Sequence, residues 1–438
     1  MTRAERFDVV VAGGGLAGVA AAVTAARCGA RTLLVERDAA LGGNATSALV
    51  HTFCGLYAPI AEEDDAPSPR HVHPGLPSRL AARLAAAGGA GEPERAGRVF
   101  VLPIRPPVLE AFLTRVVEKT AGLALALSTE LVDATLADDA RAPSLLCVRS
   151  DARARDVVAE LAIDATGDAA LAAAGGAELF CEAPERLQHA SYVFRVRGIS
   201  DATASGFSRL RVTAGLADAA RRRGLPPGCD SVLVRPGGPG AAYVTVNLPK
   251  PDASRFGPFD PLDPAQREAL AAAGRAAAEA IVAWLRERPE TSGCEIDALP
   301  RRAGIRETRR VRGRVVVEAA DVVGGRRRDD EVALSSWPIE LWDSPLRPRF
   351  ERVAAASSVP LGALVSASHP RLAAAGRCLS ASHEALGALR VLGTAMATGE
   401  AAGVAAALAA ERRVALAEVE PAAVRDAIAR LAGEDTPW

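Results

Sequence analysis

The sequence predicts an α/β protein in which a parallel-sheet domain is assembled from both ends of the chain and a mixed α+β domain is inserted between them. Three observations predict this. The chain opens with strand, glycine turn, helix and second strand; the same strand-turn-helix grammar returns after Pro360; and the residues between follow a different order. At 438 residues the chain exceeds one typical core, which agrees with two structural units.

Taking the elements in order, Phe7–Ala12 is a short apolar run ending in glycines, Leu16–Cys28 is a helix of small residues, and Arg31–Val35 is a second apolar run. Together they read as a βαβ unit, and a parallel sheet follows. The stretch "APIAEEDDAPSPRHVHPGLP" over residues 58–77 turns acidic and then proline- and histidine-containing, which predicts an exposed excursion, a lid or a loop. A helix over Leu109–Thr120 and strands over Leu123–Leu127, Glu130–Ala137 and Val157–Ile163 complete the first segment. The middle region carries strand-like Ser191–Val196 and Ala242–Val246 and a helix over Pro264–Arg286. Beyond Pro360 a strand leads into a turn, a long helix over Val391–Ala410 and a last helix over Ala422–Leu431. The expected division is therefore 1–185 with 347–438 for one domain and 186–346 for a substrate or cap domain.

Composition removes several functional classes. A formal net charge of -1 with 24% charged residues gives no attraction toward nucleic acid or an anionic membrane. The seven cysteines form no CxxC and no ligand-like cluster, so neither structural zinc nor a disulfide framework is expected, and the odd count suits a reducing, cytoplasmic compartment. The first strand begins too early to leave room for a signal peptide. The alanine-rich run Leu392–Ala410 contains Thr394, Thr398 and Glu400 and reads as a buried helix, not a membrane span.

The array Gly13-x-Gly15-x-x-Gly18 carries the strongest chemical signal. Its first glycine permits a tight turn, its second lets backbone approach a pyrophosphate, and its third lets helix pack on strand. The helix start at Leu16 and Ala17 offers free N–H groups and a positive dipole end to phosphate. Glu36, with Arg37 beside it, ends the second strand where a carboxylate accepts from a ribose hydroxyl. The array fits FAD and NAD alike, so later segments must choose. "GGNAT" places Gly42, Gly43, Asn44, Ala45 and Thr46 alongside a dinucleotide; "DATGD" ends a strand in Thr166, Gly167 and Asp168; Gly376 and Arg377 follow another strand, ahead of the long helix.

With "GGNAT", "GIRETRR" and "GRCLSASHEALGALRVLGTAMATGEAAG", the chain resembles bacterial FAD-dependent oxidoreductases of the two-dinucleotide-fold type, distantly related to succinate dehydrogenase and fumarate reductase flavoproteins. The resemblance implies a Rossmann-like FAD-binding domain. Gly13, Gly15 and Gly18 would hold the FAD pyrophosphate, Glu36 the adenosine ribose, Gly42, Gly43 and Asn44 the dinucleotide, and Thr166, Gly167 and Asp168 the ribityl-pyrophosphate stretch. Thr398 and Gly399 would face the pyrimidine edge of the flavin. "GGPGAAYV" near Gly237 lacks a following helix of the right kind, so no built-in NAD(P)H domain is expected.

The expected chemistry is hydride transfer between a small organic substrate and the flavin, with oxygen, a quinone or a carrier protein as the other electron partner. His383 is the candidate for proton exchange, its alternative being a structural histidine at a strand-to-helix turn. Arg306, Arg309 and Arg310 would share one face if "GIRETRR" were helical, a cationic patch for a carboxylate or phosphate, their alternative being local ion pairs with acids such as Glu307. His51, Cys54 and Tyr57 are candidates for flavin packing or covalent attachment, and His71 and His73 lack the further ligands of a metal site. A flavin monooxygenase and a non-catalytic redox-sensing flavoprotein are the alternative functions, and a monomer or homodimer the expected assembly.

Overall fold

The structure is a computed structural model that describes residues 4–435 apart from 62, 63, 65, 138, 140, 141 and 152. Its first unit is built on the apolar runs expected from sequence: β1 (Glu5–Ala12), α1 (Leu16–Arg27) and β2 (Thr32–Val35). Then follow α2 (Leu76–Ala86), α3 (Pro106–Glu118), β3 (Leu123–Ala126), β4 (Thr129–Thr135), β5 (Ser144–Ser150) and β6 (Arg153–Asp164). One sheet takes the order β3-β2-β1-β6-β5-β4, joined at β6 by the late strand β11 (Leu372–Ala374). Pairings among β3, β2, β1, β6 and β11 are parallel, whereas β4, β5 and the start of β6 form an antiparallel meander. The sheet is therefore α/β at its centre and antiparallel at one flank.

Two helices made largely of small residues pack against each other over this sheet: α1 and α6 (Leu392–Arg412). A Cβ on Gly399 would stand 2.0 Å from the Ala17 carbonyl oxygen and one on Gly403 2.2 Å from that of Ala21. Thr24 Oγ1 also donates to the Glu400 carbonyl at 3.2 Å. The alanine and glycine content of both helices is thus explained by backbone approach. Among the described residues α6 is the one helix long and apolar enough to cross a membrane, and it lies buried within this packing.

The second unit is an antiparallel sheet in the order β8 (Val232–Pro236), β9 (Ala241–Asn247), β7 (Ser191–Arg197), β10 (Glu295–Ala298), covered by α4 (Pro264–Arg286). Asp263 caps α4 and Pro264 occupies its first turn, which explains why its start was legible. Tyr192 packs where a Gly274 side chain would stand, part of a core drawn from residues 187–305.

Packing changes two expectations. Val317, Val322, Val332, Ala333, Ile339 and Leu341 join the core of the first unit, so apolar contacts return the chain to it well before the boundary expected at 346. The 58–77 excursion is also less exposed than its composition suggests. Tyr57 and His71 form a β-bridge, His73 is buried, and Leu76–Pro77 begin α2, while residues 62, 63 and 65 lie outside the described residues.

Candidate functional site

The carboxyl ends of β1, β6 and β11 meet at one edge of the sheet, which is where α/β folds hold their ligands. There a cavity of about 410 Å³ runs from Val35, Glu36 and Arg37, past Gly13, Gly15, Leu16 and Ala17, to Gly42, Gly43 and Asn44. Thr166, Gly167, Asp168, Gly376 and Arg377 line it further along, Arg390, Leu392 and Ala395 line what we call its inner end, and Pro264, Arg267, Glu268 and Ala271 of α4 bring the second unit to its wall.

The glycine turn is shaped by steric need. Gly13 has φ +102°, and a Cβ there would meet the Ala165 carbonyl oxygen at 2.5 Å. A Cβ on Gly18 would sit 1.7 Å from the Gly13 carbonyl oxygen, so Gly18 packs helix on strand and does not line the cavity. Gly15 differs from both: its Cβ position is open, with only Gly43 Cα at 3.9 Å. No side chain caps the start of α1. Glu36 closes the outer end, its carboxylate accepting the Gly14 N–H at 2.5 Å and the Asp38 N–H at 2.8 Å. Burial raises its pKa against those two hydrogen bonds.

Asp168 forms an electrostatic node. It accepts from Arg377 at 2.8 Å and from Arg267 of α4 at 2.9 Å, which ties the two units together. Burial pushes its pKa up, but these two guanidiniums outweigh burial and hold the carboxyl well below its usual range. Arg377 Nη1, by contrast, is buried without a partner.

Several expected site residues stand elsewhere. Ala45 and Thr46 are buried and do not line the cavity; Thr46 Oγ1 donates to the Leu41 carbonyl at 2.7 Å and fixes the preceding turn. Thr398 and Gly399 lie inside α6 and do not line the cavity. Thr398 Oγ1 accepts the Gly376 N–H at 3.1 Å, and Gly399 is the contact with Ala17. "GIRETRR" is not helical, so its arginines share no helix face: residues 299–318 hold no helix, but the two-residue strand Arg310–Val311 and isolated bridges at Gly304, Gly313 and Val317. Arg309 donates to the Asp168 carbonyl, and Arg310 is fully buried between Glu307 at 2.5 Å and Glu182 at 3.0 Å.

Neither expected catalytic residue lines the cavity. His383 starts the short helix α5 (His383–Leu389), and its Nδ1 meets Glu307 Oε2 at 2.9 Å. Burial lowers its pKa, yet the Glu307 hydrogen bond and charge prevail and raise it overall. Gln188 extends this pair, donating to Glu307 at 3.3 Å and accepting from Arg390 at 3.3 Å. His383 is therefore linked to the cavity lining only through two intermediaries, Glu307 and Gln188. Arg306 lies behind the inner end, donating to the His189 carbonyl at 2.5 Å and to Asn247 Oδ1 at 2.7 Å. His51, Cys54 and Tyr57 also stand off the cavity, with His51 stacked on Tyr243 at 4.2 Å.

Sequence reasoning missed Arg267, Arg301, Arg302 and Arg390 as lining residues. Only Arg390 left a signal, a single cation within the apolar run "GALRVLG".

The uncapped helix start, the open Gly15 and the orphaned Arg377 nitrogen all fit a long ligand carrying phosphate charge. Together with the parallel sheet and Glu36 they define a dinucleotide-binding protein. A family profile described as FAD dependent oxidoreductase matches residues 8–428. The chain belongs to that family, and FAD is its cofactor. A curated relative, Protein FixC of Azotobacter vinelandii, is 41% identical over 75 residues, which spans 16% of each chain. Among solved structures, the fold is similar to a geranylgeranyl bacteriochlorophyll reductase-like protein of Thermoplasma acidophilum (13% identity, 99% of this chain and 93% of that one, TM-score 0.42). It is also similar to p-nitrophenol 4-monooxygenase of Pseudomonas putida (11%, 98% and 91%, TM-score 0.49) and glycine oxidase of Geobacillus kaustophilus (13%, 93% and 95%, TM-score 0.43).

Proposed function

We propose that the protein is an oxidoreductase that exchanges a hydride between a small organic substrate and FAD held in the cavity described above. The observation that carries this reading is the continuity of that cavity from Glu36 to Arg390, with backbone donors and glycines at one end and the second unit over the other. Gly13, Gly15 and the N–H groups of Leu16 and Ala17 hold the pyrophosphate, Glu36 accepts from the adenosine ribose, and Gly42, Gly43 and Asn44 flank the dinucleotide. Thr166, Gly167 and Arg377 meet its middle.

When bound, FAD supplies a two-electron centre that gives or takes hydride. The chain's own work is to orient the substrate and exclude water. The second unit does both by covering the inner end, anchored to the first through Arg267–Asp168 and through Asn44 Nδ2, which donates to the Ile305 carbonyl at 3.1 Å. The Gln188–Glu307–His383 chain fixes Arg390 and holds a proton on the imidazole side, away from the cavity.

The test is anaerobic. The holoprotein, mixed with a panel of small alcohols, amines, hydroxy acids and saturated acids, should lose its visible flavin absorbance with at least one of them, or regain it from the dithionite-reduced form with an unsaturated or carbonyl counterpart. A flavin that stays unchanged in both directions across the panel would favour a structural or sensing flavoprotein.

A further inference from the structure

At the inner end of the cavity two guanidiniums stand without an ion-pair partner among the described residues. Arg390 lines it, and Arg306 stands close behind. Both guanidiniums are held by neutral acceptors. Arg390 donates to Gln188 Oε1 and to the Glu340 carbonyl at 3.0 Å, and Arg306 to the His189 carbonyl and Asn247 Oδ1 while lying 4.6 Å over the Trp342 ring. Among the described residues, no carboxylate comes within ion-pair distance of either one. Arg390 Nε is buried without any partner.

The neighbouring groups are engaged elsewhere or neutral. Glu340 is the carboxylate that acts electrostatically on both arginines, and its two oxygens accept the indole N–H groups of Trp337 at 3.1 Å and Trp342 at 2.6 Å. Burial pushes the Cys54 thiol up to about 12 and the His51 imidazole down to about 3, so both are neutral. Glu307 also acts on Arg390, but it lies beyond Gln188 and is itself paired with Arg310 and His383, and the start of the 21-residue helix α6 at Leu392 adds positive potential. A half-buried cation without an ion pair carries a cost, whereas neutral acceptors that fix its orientation prepare it for an incoming anion.

We propose that Arg390, backed by Arg306, is the subsite that recognises a carboxylate on the substrate, which makes small organic carboxylates the substrate class. A guanidinium that lines the cavity with neutral acceptors and an unpartnered Nε is open to an anion, and its planar fork fits a carboxylate's two oxygens. This rests on the reading that substrate meets the flavin at the inner end. Gln188 is a positioning residue that holds Arg390 through its side-chain oxygen.

The experiment titrates the holoprotein with acetate, oxalate, succinate and benzoate, each beside its neutral amide, and follows the visible flavin spectrum and the heat of binding in parallel. At least one carboxylate should bind saturably where its amide does not. Arg390→Gln should weaken that binding by at least roughly tenfold with flavin content retained, Arg306→Gln should weaken it less, and Arg390→Lys should recover part of the loss. No carboxylate binding by either readout, equal binding of acid and amide, or unchanged affinity in Arg390→Gln would overturn the subsite. A wild-type protein that lacks flavin bands counts instead against the cofactor site, because the heats still report on the subsite.

Discussion

Two helix starts face the same cavity and work by different means. At α1 the sequence removes side chains, so that Gly13 turns, Gly15 leaves space, Gly18 packs and bare N–H groups remain. At α6 the sequence adds one: Arg390, two residues ahead of the helix, reaches the cavity with its guanidinium held by neutral oxygens. The first helix start recognises a group common to every dinucleotide. On the proposed reading the second recognises the substrate, which would separate cofactor and substrate selection along one cavity.

The largest effect should come from filling the space at the first start. In Gly15→Val a branched side chain enters the open position and displaces the pyrophosphate from the backbone donors. FAD affinity should fall by about 4 kcal/mol, on the order of 1000-fold, measured by fluorescence titration of the apoprotein. Retained affinity would break the comparison at its firmer end.

The body of α6 provides the next test. Glu400 is buried, accepts the Leu76 N–H at 2.7 Å and has its pKa raised to about 7, chiefly by burial. Because its folded pKa lies above the unfolded value, the native state binds the proton more tightly. Its contribution is therefore fully favourable below about pH 4.5 and is lost as pH rises toward 7. Glu400→Gln should remove up to about 3 kcal/mol of this pH dependence in denaturant melts of the holoprotein between pH 4.5 and 8. Parallel wild-type and variant profiles would show that α6 carries no such penalty.

A smaller effect is expected at Gln188. Gln188→Ala releases Arg390 on one side and Glu307 on the other. Carboxylate affinity should drop by a few fold, about 1 kcal/mol, with FAD affinity unchanged. A fall in FAD affinity alone would show that the two ends are not separated.

The same contrast explains what the sequence disclosed. Backbone recognition leaves a pattern, because steric demands at Gly13 and Gly18 are absolute and recur at fixed spacing. The βαβ unit, Glu36, the GGNAT turn and α4 from Pro264 to Arg286 were legible for that reason or through caps and prolines. Side-chain recognition leaves at most a lone cation in an apolar run, as at Arg390. Arg390 and Arg267 reach the cavity by tertiary folding, and in "GIRETRR" the shared helix face was misjudged while the alternative, a local pair with Glu307, holds for Arg310, because that segment satisfies Arg309 and Arg310 through Asp168, Glu307 and Glu182 instead of forming a helix. Thr398 and Gly399 resembled cofactor contacts, yet close helix packing demands the same small residues.

The account stands most directly on a flavin at the glycine turn, and one measurement reaches it: the visible absorption spectrum of the purified protein, taken before and after acid precipitation. Two flavin bands that move into the supernatant are the predicted result, since His51, Cys54 and Tyr57 stand off the cavity and offer no attachment. A colourless protein that takes up no added FAD would contradict the account, and yellow colour retained in the pellet would contradict the placement of those three residues.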